Sequence, residues 1–484
     1  MTDLLEPQPF STYPTPLEQV NYQRFSTAGE IHAYLKTLAA TSPAAHYERW
    51  GSSVLGQPVA ALRLCATDAL PANQRLRVML VGCHHGASEA AGGEALIQLA
   101  RQLLHEDLQP LLKQLEIYLL PDANPDGRDA DSSKNANKVN LNRDYVLLSQ
   151  PESYALDQAL NRIRPHVVLD AHESAALKRK TLAVEGYMTE FQAQIDYANN
   201  PAIPLLTQNF CERVILNPLL ERITDKGLQA QRYIREISSV SQALTYGGVT
   251  AHIFRNKAGV CGALSFLLET RMDPKYGVYA SFRNIHVRLS KQMLCIREFL
   301  TLLNEQKQAI LNEFDMVSQL MPGDVCALNV DYVEHPHEPV SRLPMRRIDS
   351  QELVDIEFIN HRHTIQHTLI TRPHAYIITQ HIERISAVLV RNALDFEIIQ
   401  TETIINAIAL RVPGIPQTDA FSVQMIPTRL QVLPGFLRVP LAQARGNLVP
   451  QLLEPQSSSS LFQHASFRTV LVDQVSAFIY RCPA

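Results

Sequence analysis

Runs of apolar, β-prone residues recur along the first part of this chain, and most of them end in residues that carry chemistry. Leu76–Val81 leads into Gly82 and then His84-His85-Gly86-Ala87-Ser88-Glu89. Leu115–Leu120 leads, past Pro121, into Asn124-Pro125-Asp126-Gly127. Val167-Val168-Leu169 leads into Asp170-Ala171-His172, and Leu264–Leu268 into Glu269-Thr270-Arg271. Asn142-Arg143 follows the long polar stretch 122–140. This pattern predicts an open α/β sheet, which places its ligand crevice outside the carboxyl ends of its strands. Two imidazoles and a carboxylate delivered to one rim can hold zinc, and a second carboxylate beside them can activate its water.

The rest of the chain can be organised around those strands. Helical spacing is read over Ala28–Ala40, Ala90–Leu104, Tyr154–Ile163 and about Asn284 to Leu320. Val59–Leu64 alternates as a strand does. Residues 1–25, rich in Pro, Thr and Tyr, read as an extended lead-in. Character changes near Met321-Pro322-Gly323, where Val, Ile, Thr and Pro take over. The expected division is therefore a catalytic domain over residues 1–322 and a β-rich domain over 323–484, with strands at Ala375–Thr379, Glu397–Thr401 and Phe421–Ile426.

Charge and cysteine usage narrow the partners. A net charge of −4 gives no reason to expect nucleic acid or an anionic membrane. No apolar stretch reaches the length of a membrane span. The seven cysteines are scattered and show no CxxC pair, so reduced thiols in a cytoplasmic protein are expected. Cys83 is expected to pack beneath the histidine pair rather than to bind metal.

Each motif has a bland reading beside the chemical one. A strand-end histidine can be structural, hydrogen-bonded to backbone. Glu269 can pair with Arg271, and Arg143 with Asp144. The chemical reading makes Glu269 a general base, its pKa raised by partial burial. Asp170 lies two residues before His172, hence on the same strand face, and is a candidate acceptor for a site histidine's second N–H. Arg143 offers a bidentate fork to a carboxylate, with Asn142 as a neutral donor.

Together these segments resemble the zinc metallocarboxypeptidases of the carboxypeptidase A-like clan, which also holds murein-peptide amidases and amino-acid deacylases. The residues that carry the resemblance are His85-Gly86, Glu89, Gly92, Asn124-Pro125-Asp126-Gly127, Asn135-Ala136-Asn137, Leu141-Asn142-Arg143-Asp144, Val168–Glu173 and Ser265–Arg271. It covers roughly residues 20–300. The resemblance implies an α/β fold with a mixed eight-stranded sheet flanked by helices, one catalytic Zn²⁺, and hydrolysis of a terminal amide bond. It implies His85, Glu89 and His172 as ligands, Glu269 as base, Asn142 and Arg143 on the substrate's carboxylate, and Tyr246 as a mobile cap.

The chain departs from the family pattern in places. His85 and Glu89 are one residue further apart than the usual His-x-x-Glu, so His84 is an alternative ligand. Ser133 stands where an arginine often polarises the scissile carbonyl, which leaves Lys134 or Arg128 for that role. Asn140 replaces a common aspartate. The stretch 433–455 resembles the tails of some bacterial members, and its role as lid, specificity wall or dimer contact stays open. The histidines of the C-terminal region, His361 and His363 among them, lack a carboxylate or cysteine at telling spacing for a second metal. The expected substrate is a peptide with a free carboxylate. An acyl amino acid, a murein peptide, or a binding protein of the same fold without catalysis are the alternatives.

Overall fold

The computed structural model describes residues 12–272, 285–317, 323–413, 421–472 and 477–483. In chain order the first strands are β1 (Ala45–Ser52), β2 (Pro58–Leu64), β3 (Leu76–Gly82), β4 (Leu115–Leu120), β5 (Val167–Ala175), β6 (Tyr187–Thr189), β7 (Ala193–Tyr197), β8 (Ala230–Arg232) and β9 (Leu264–Met272). All but β6 form one eight-stranded sheet in the order β1-β2-β4-β3-β5-β9-β7-β8. Its centre, β4-β3-β5-β9, is parallel. The β1–β2, β2–β4 and β9–β7 pairs are antiparallel, so the sheet is mixed as expected.

Central strands are apolar on both faces because helices cover both. One face carries Leu76, Val78 and Leu80 into a core with Leu96, Leu99 and Leu103 of helix Ala91–His105 and Ile296, Phe299 and Leu303 of helix Ile285–Glu305. The other face packs Met79, Val81 and Val168 against Leu156 and Leu160 of helix Pro151–Ile163 and Phe254 of helix Phe254–Val260. Helix Ala28–Thr41 begins at a reciprocal cap, in which the Thr27 hydroxyl accepts from the Glu30 N–H and Glu30 accepts from the Thr27 N–H. The lead-in is partly helical (Pro16–Gln19), with Leu17 in the core; its residues 1–11 lie outside the described ones.

Chain order runs β3 to β4 on one side and then to β5 on the other. The ends of the central strands thus flank a switch point, where open sheets bind ligands. His84 leaves β3 there, and His172 and Glu269 approach it on β5 and β9.

Beyond residue 322 come β10 (Val325–Val333), β11 (Val340–Arg347), β12 (Leu353–Ile359), β13 (His363–Thr371), β14 (Ala375–Ile378), β15 (Glu397–Ile398), β16 (Thr403–Arg411), β17 (Gln424–Val432), β18 (Leu437–Pro440) and β19 (Ile479–Cys482). Six of them form a sheet in the order β15-β18-β14-β19-β16-β17. This region does not stand apart. β11 pairs with β6, and a shared core joins Val146, Ala202 and Val260 to Tyr376, Leu448 and Phe462. No helix among the described residues is long and apolar enough to cross a membrane.

Candidate metal centre at the strand ends

Backbone shape around the histidines is set by glycine and by the Asn-Pro-Asp-Gly turn. Gly86 has φ +49, and a Cβ there would fall 2.4 Å from Ser132 O. Asn124 caps the short helix Pro125–Asp129 by accepting from Gly127 N (3.0 Å), and its Nδ2 donates to His84 O (3.3 Å). Asp126 accepts from Ser53 Oγ and Leu55 N, which fixes the turn to the β1–β2 loop. Glu173 accepts from Ala91 N at the start of the following helix and pairs with Arg288 at 2.6 Å. These motif residues hold the frame rather than the ligand.

The frame converges three donors. His85, Glu89 and His172 present ligand atoms within 4.8 Å of one another. His172 Nδ1 lies 2.7 Å from Glu89 Oε2, and its Nε2 lies 2.9 Å from Asp170 Oδ2. Glu269 stands directly beside His172 across the β5–β9 ladder. A 3-10 turn over Gly86–Glu89 takes up the extra residue between His85 and Glu89.

His84 faces away into the core. It is buried, with Nδ1 on Asp170 Oδ1 (2.7 Å) and Nε2 on the Tyr145 hydroxyl (2.6 Å). Both its nitrogens are engaged within the protein, whereas His85 is partly exposed at the cluster. His84, Asp170 and His172 also fall within ligand distance of one another, but all three are buried. Among the described residues these two overlapping groups are the ones whose donors could hold a metal ion, and none lies in the C-terminal region.

Electrostatics favour a cation here. Burial works against a charged His172, yet Asp170 and Glu89 hold its pKa well above the usual imidazole range. Burial likewise opposes a charged Glu89, but His85 and His172 keep its carboxyl below the usual value. Glu269 is pushed up to about 8, first by burial and then by the Glu89 charge; His172 and Lys178 pull the other way. Three carboxylates face two imidazoles in this small volume. That donor set, neutral nitrogen and carboxylate oxygen around one point, suits Zn²⁺.

The remaining candidates are dispersed around the cluster. Asn142 Nδ2 lies 3.3 Å from His172 Nε2, and its Oδ1 accepts from Phe254 N (2.8 Å). Arg143 is exposed, and its Nη1 donates to Asn142 O (2.6 Å). Asn140 caps this turn by accepting from Asn142 N. Asp144 accepts from Ser149, Gln150 and Ser153 rather than from Arg143. Glu269 does not pair with Arg271, which binds Glu190 at 3.0 Å.

Two cations read as carbonyl-polarising candidates sit differently from that reading. Arg128 is buried, paired to Glu94 (3.2 Å) and Asp122 (3.1 Å), with Nη2 on Cys83 Sγ. Its charge is neutralised beneath the cluster and is not offered to an open face. Lys134 is exposed on the loop surface. The lysine whose charge acts on Glu269 is Lys178, itself paired to Glu236 at 3.1 Å. Cys83 is buried, and burial pushes its thiol up to about 12, which suits packing and not ligation.

Tyr246 lies over the Arg232 guanidinium (3.7 Å) and edge-on to Tyr332 (6.4 Å). The tyrosine within the electrostatic reach of both Glu269 and Arg143 is Tyr233, which follows β8. Arg255 borders Tyr233 as well; it donates to Asn199 Oδ1 at 3.3 Å and lies 3.6 Å from Asp196. Sequence reasoning missed Tyr233, Arg255 and Lys178. No local spacing marks them, because tertiary pairing of β7 with β9 brings this edge to the site.

Comparison with known proteins agrees with the geometry. Residues 31–200 match the zinc carboxypeptidase family model. A probable carboxypeptidase 2 of Arthroderma benhamiae is 28% identical over 249 residues, 50% of this chain and 47% of that protein. Carboxypeptidase 2 of Trichophyton rubrum is 27% identical, covering 50% of this chain and 46% of its own length. The chain thus spans about half the length of these relatives. Among solved structures, carboxypeptidase A of Helicoverpa armigera aligns with 59% of this chain and 75% of its own at TM-score 0.45 and 16% identity. A metallo-carboxypeptidase of Burkholderia cenocepacia aligns with 57% and 69% at TM-score 0.43 and 17% identity. The match over residues 31–200 and the motifs it contains make this part of the chain similar to the zinc carboxypeptidase family.

Proposed function

We propose that this protein is a zinc-dependent hydrolase that removes the C-terminal residue of a peptide, with one Zn²⁺ held by His85, Glu89 and His172. The supporting observation is the meeting of these three donors within 4.8 Å, with Glu269 beside His172 on the next strand. Bound zinc would supply Lewis-acid polarisation of a carbonyl and a more acidic water. Glu269 is the general base: it takes the proton of the attacking water and returns it to the leaving amine. Burial and the Glu89 charge raise its pKa, which makes its ionised form a stronger proton acceptor.

Arg143 binds the substrate's free carboxylate in a bidentate fork, and Asn142 keeps that arginine's turn against the metal wall. Attack is thereby limited to the last peptide bond. For the cap over the bound residue we favour Tyr233 over Tyr246, whose ring is held on Arg232. Lys178 is better placed than Lys134 or Arg128 to act on charge near Glu269. We further propose that residues 323–484 form a unit added to the catalytic one and braced by β11 on β6. All seven cysteines are free, which supports a reducing, cytoplasmic setting.

The test compares a free peptide, a C-terminally blocked peptide and an N-acyl amino acid, each with wild type and Glu269→Gln. Turnover of the free peptide alone, lost by about a thousandfold in the variant, is the expected result. Preference for the acyl amino acid would make the enzyme a deacylase. Turnover unchanged in Glu269→Gln would remove the base assignment.

A further inference from the structure

At the opposite end of the sheet, where β5 and β9 begin, a cavity of about 270 Å³ lies between the catalytic sheet and the C-terminal region. Its charged lining is Arg164, Arg372 and Arg445, and no acidic side chain lines it among the described residues. Arg164 is exposed, while Arg372 and Arg445 are each 97% buried (3% exposed).

Charge in and behind this cavity is unbalanced. Arg445 pairs with Asp157 at 2.6 Å, but Asp157 also serves Lys257, fully buried 3.5 Å away. One carboxylate therefore faces two cations. Arg372 has no ion pair among the described residues: its Nη1 donates to Asn447 Oδ1, and its Nε is buried without an acceptor among them. Asp324, a carboxylate whose charge acts on it, is exposed and forms no ion pair with it. Burying an uncompensated guanidinium is costly, and an anion in the cavity would remove that cost.

From this unpaired buried arginine, in a cavity lined by three arginines and no acid, we infer a binding site for a small organic anion, separate from the metal centre. The rest of the wall, with Leu160, Phe314 and Leu441, is apolar. It suits a ligand with an apolar body and a doubly charged oxyanion head, a phosphate monoester or a short aromatic dicarboxylate. The volume, just below the range of drug-sized sites, limits that ligand to about one ring. Because the cavity walls come from helix Pro151–Ile163, from the turn before β9 and from the loop 441–447, occupancy clamps the C-terminal region onto the sheet.

Calorimetric titration at fixed ionic strength tests this with phenyl phosphate and phthalate as probes, in an Arg143→Ala background that removes the fork at the metal end. One-to-one saturable binding of either probe, with a rise in melting temperature, is expected; which probe binds tells phosphate from carboxylate. Arg372→Met should weaken binding by about tenfold or more, the loss of a charge-assisted contact. Arg164→Ala, at an exposed position where folding is not at stake, should weaken it several-fold. Absence of saturable binding by both probes, or binding unchanged in Arg164→Ala and in a folded Arg372→Met, would overturn the site.

Discussion

The two ends of the central sheet are built with opposite signs. Where β3, β5 and β9 finish, Glu89, Asp170 and Glu269 crowd around His85 and His172. Where β5 and β9 start, Arg164, Arg372 and Arg445 line one cavity, and Arg445 shares the Asp157 carboxylate with Lys257. Between them the strands are mostly apolar, with Val78, Leu80, Val168, Leu169, Phe266 and Leu268 in the core. One scaffold thus carries opposite charge at its two ends, because each end is set by a few loop and strand-end residues and not by the core. The ends also differ in how they are braced: the negative end by a chain of contacts, hydrogen bonds from Tyr145 to His84 to Asp170 and an ion pair from Asp170 to His172, the positive end by packing against the C-terminal region.

Breaking that chain should have the largest effect. Asp170→Asn keeps shape but removes the charge that orients His172, and zinc affinity measured by chelator competition should fall about 10–100-fold. An unchanged affinity would make Asp170 a packing residue only. Removing charge at the outer rim should do less. Arg143→Ala should raise KM about tenfold with kcat reduced less, since the fork binds substrate and transition state alike. A kcat loss with unchanged KM would contradict its role as an anchor.

Acid sharpens the comparison more gently. His166, at the start of β5, accepts from Arg77 N through Nδ1, and burial pulls its pKa down to about 3. His252, whose Nε2 meets His464 Nε2 at 2.7 Å, is pulled down to about 3 as well, mainly by burial. Both rings stay neutral in the folded protein while the unfolded chain protonates near 6.5. Their contribution is therefore complete above pH 6.5 and lost as pH falls toward about 3, at roughly 1.4 kcal/mol per pH unit for each ring. Urea midpoints measured across that window should fall with acid, and His166→Asn should flatten the slope; an unaltered slope would count against burial of a neutral ring.

Much of the negative end could be read in the sequence, since short-range chemistry specifies it. Gly86 is demanded by a positive φ and a close backbone, and Leu76–Gly82 pairs as the apolar run suggests. Boundaries blurred where pairing overrode local pattern. β5 continues to Ala175 through polar residues because β9 matches it residue for residue. In the C-terminal region the strand expected at Phe421–Ile426 runs instead over Gln424–Val432, and Glu397–Thr401 shortens to Glu397–Ile398, since partners and not alternation set their ends. Helical spacing near 284–320 resolves into Ile285–Glu305 and Lys307–Val317; positions 284 and 318–320 lie outside the described residues. The positive end was not legible: Arg164, Arg372 and Arg445 are brought together by tertiary packing, with no spacing to announce them.

The central claim is a single divalent ion between two histidines and a glutamate, with Glu269 beside it and not bound to it. Elemental analysis of purified wild type, His85→Ala, Glu89→Ala, His172→Ala and Glu269→Gln tests it directly. About one zinc per folded chain is predicted in wild type and Glu269→Gln, and none in the other three. Full zinc in the His85 and His172 variants, or none in the wild type after zinc is supplied, would contradict the account.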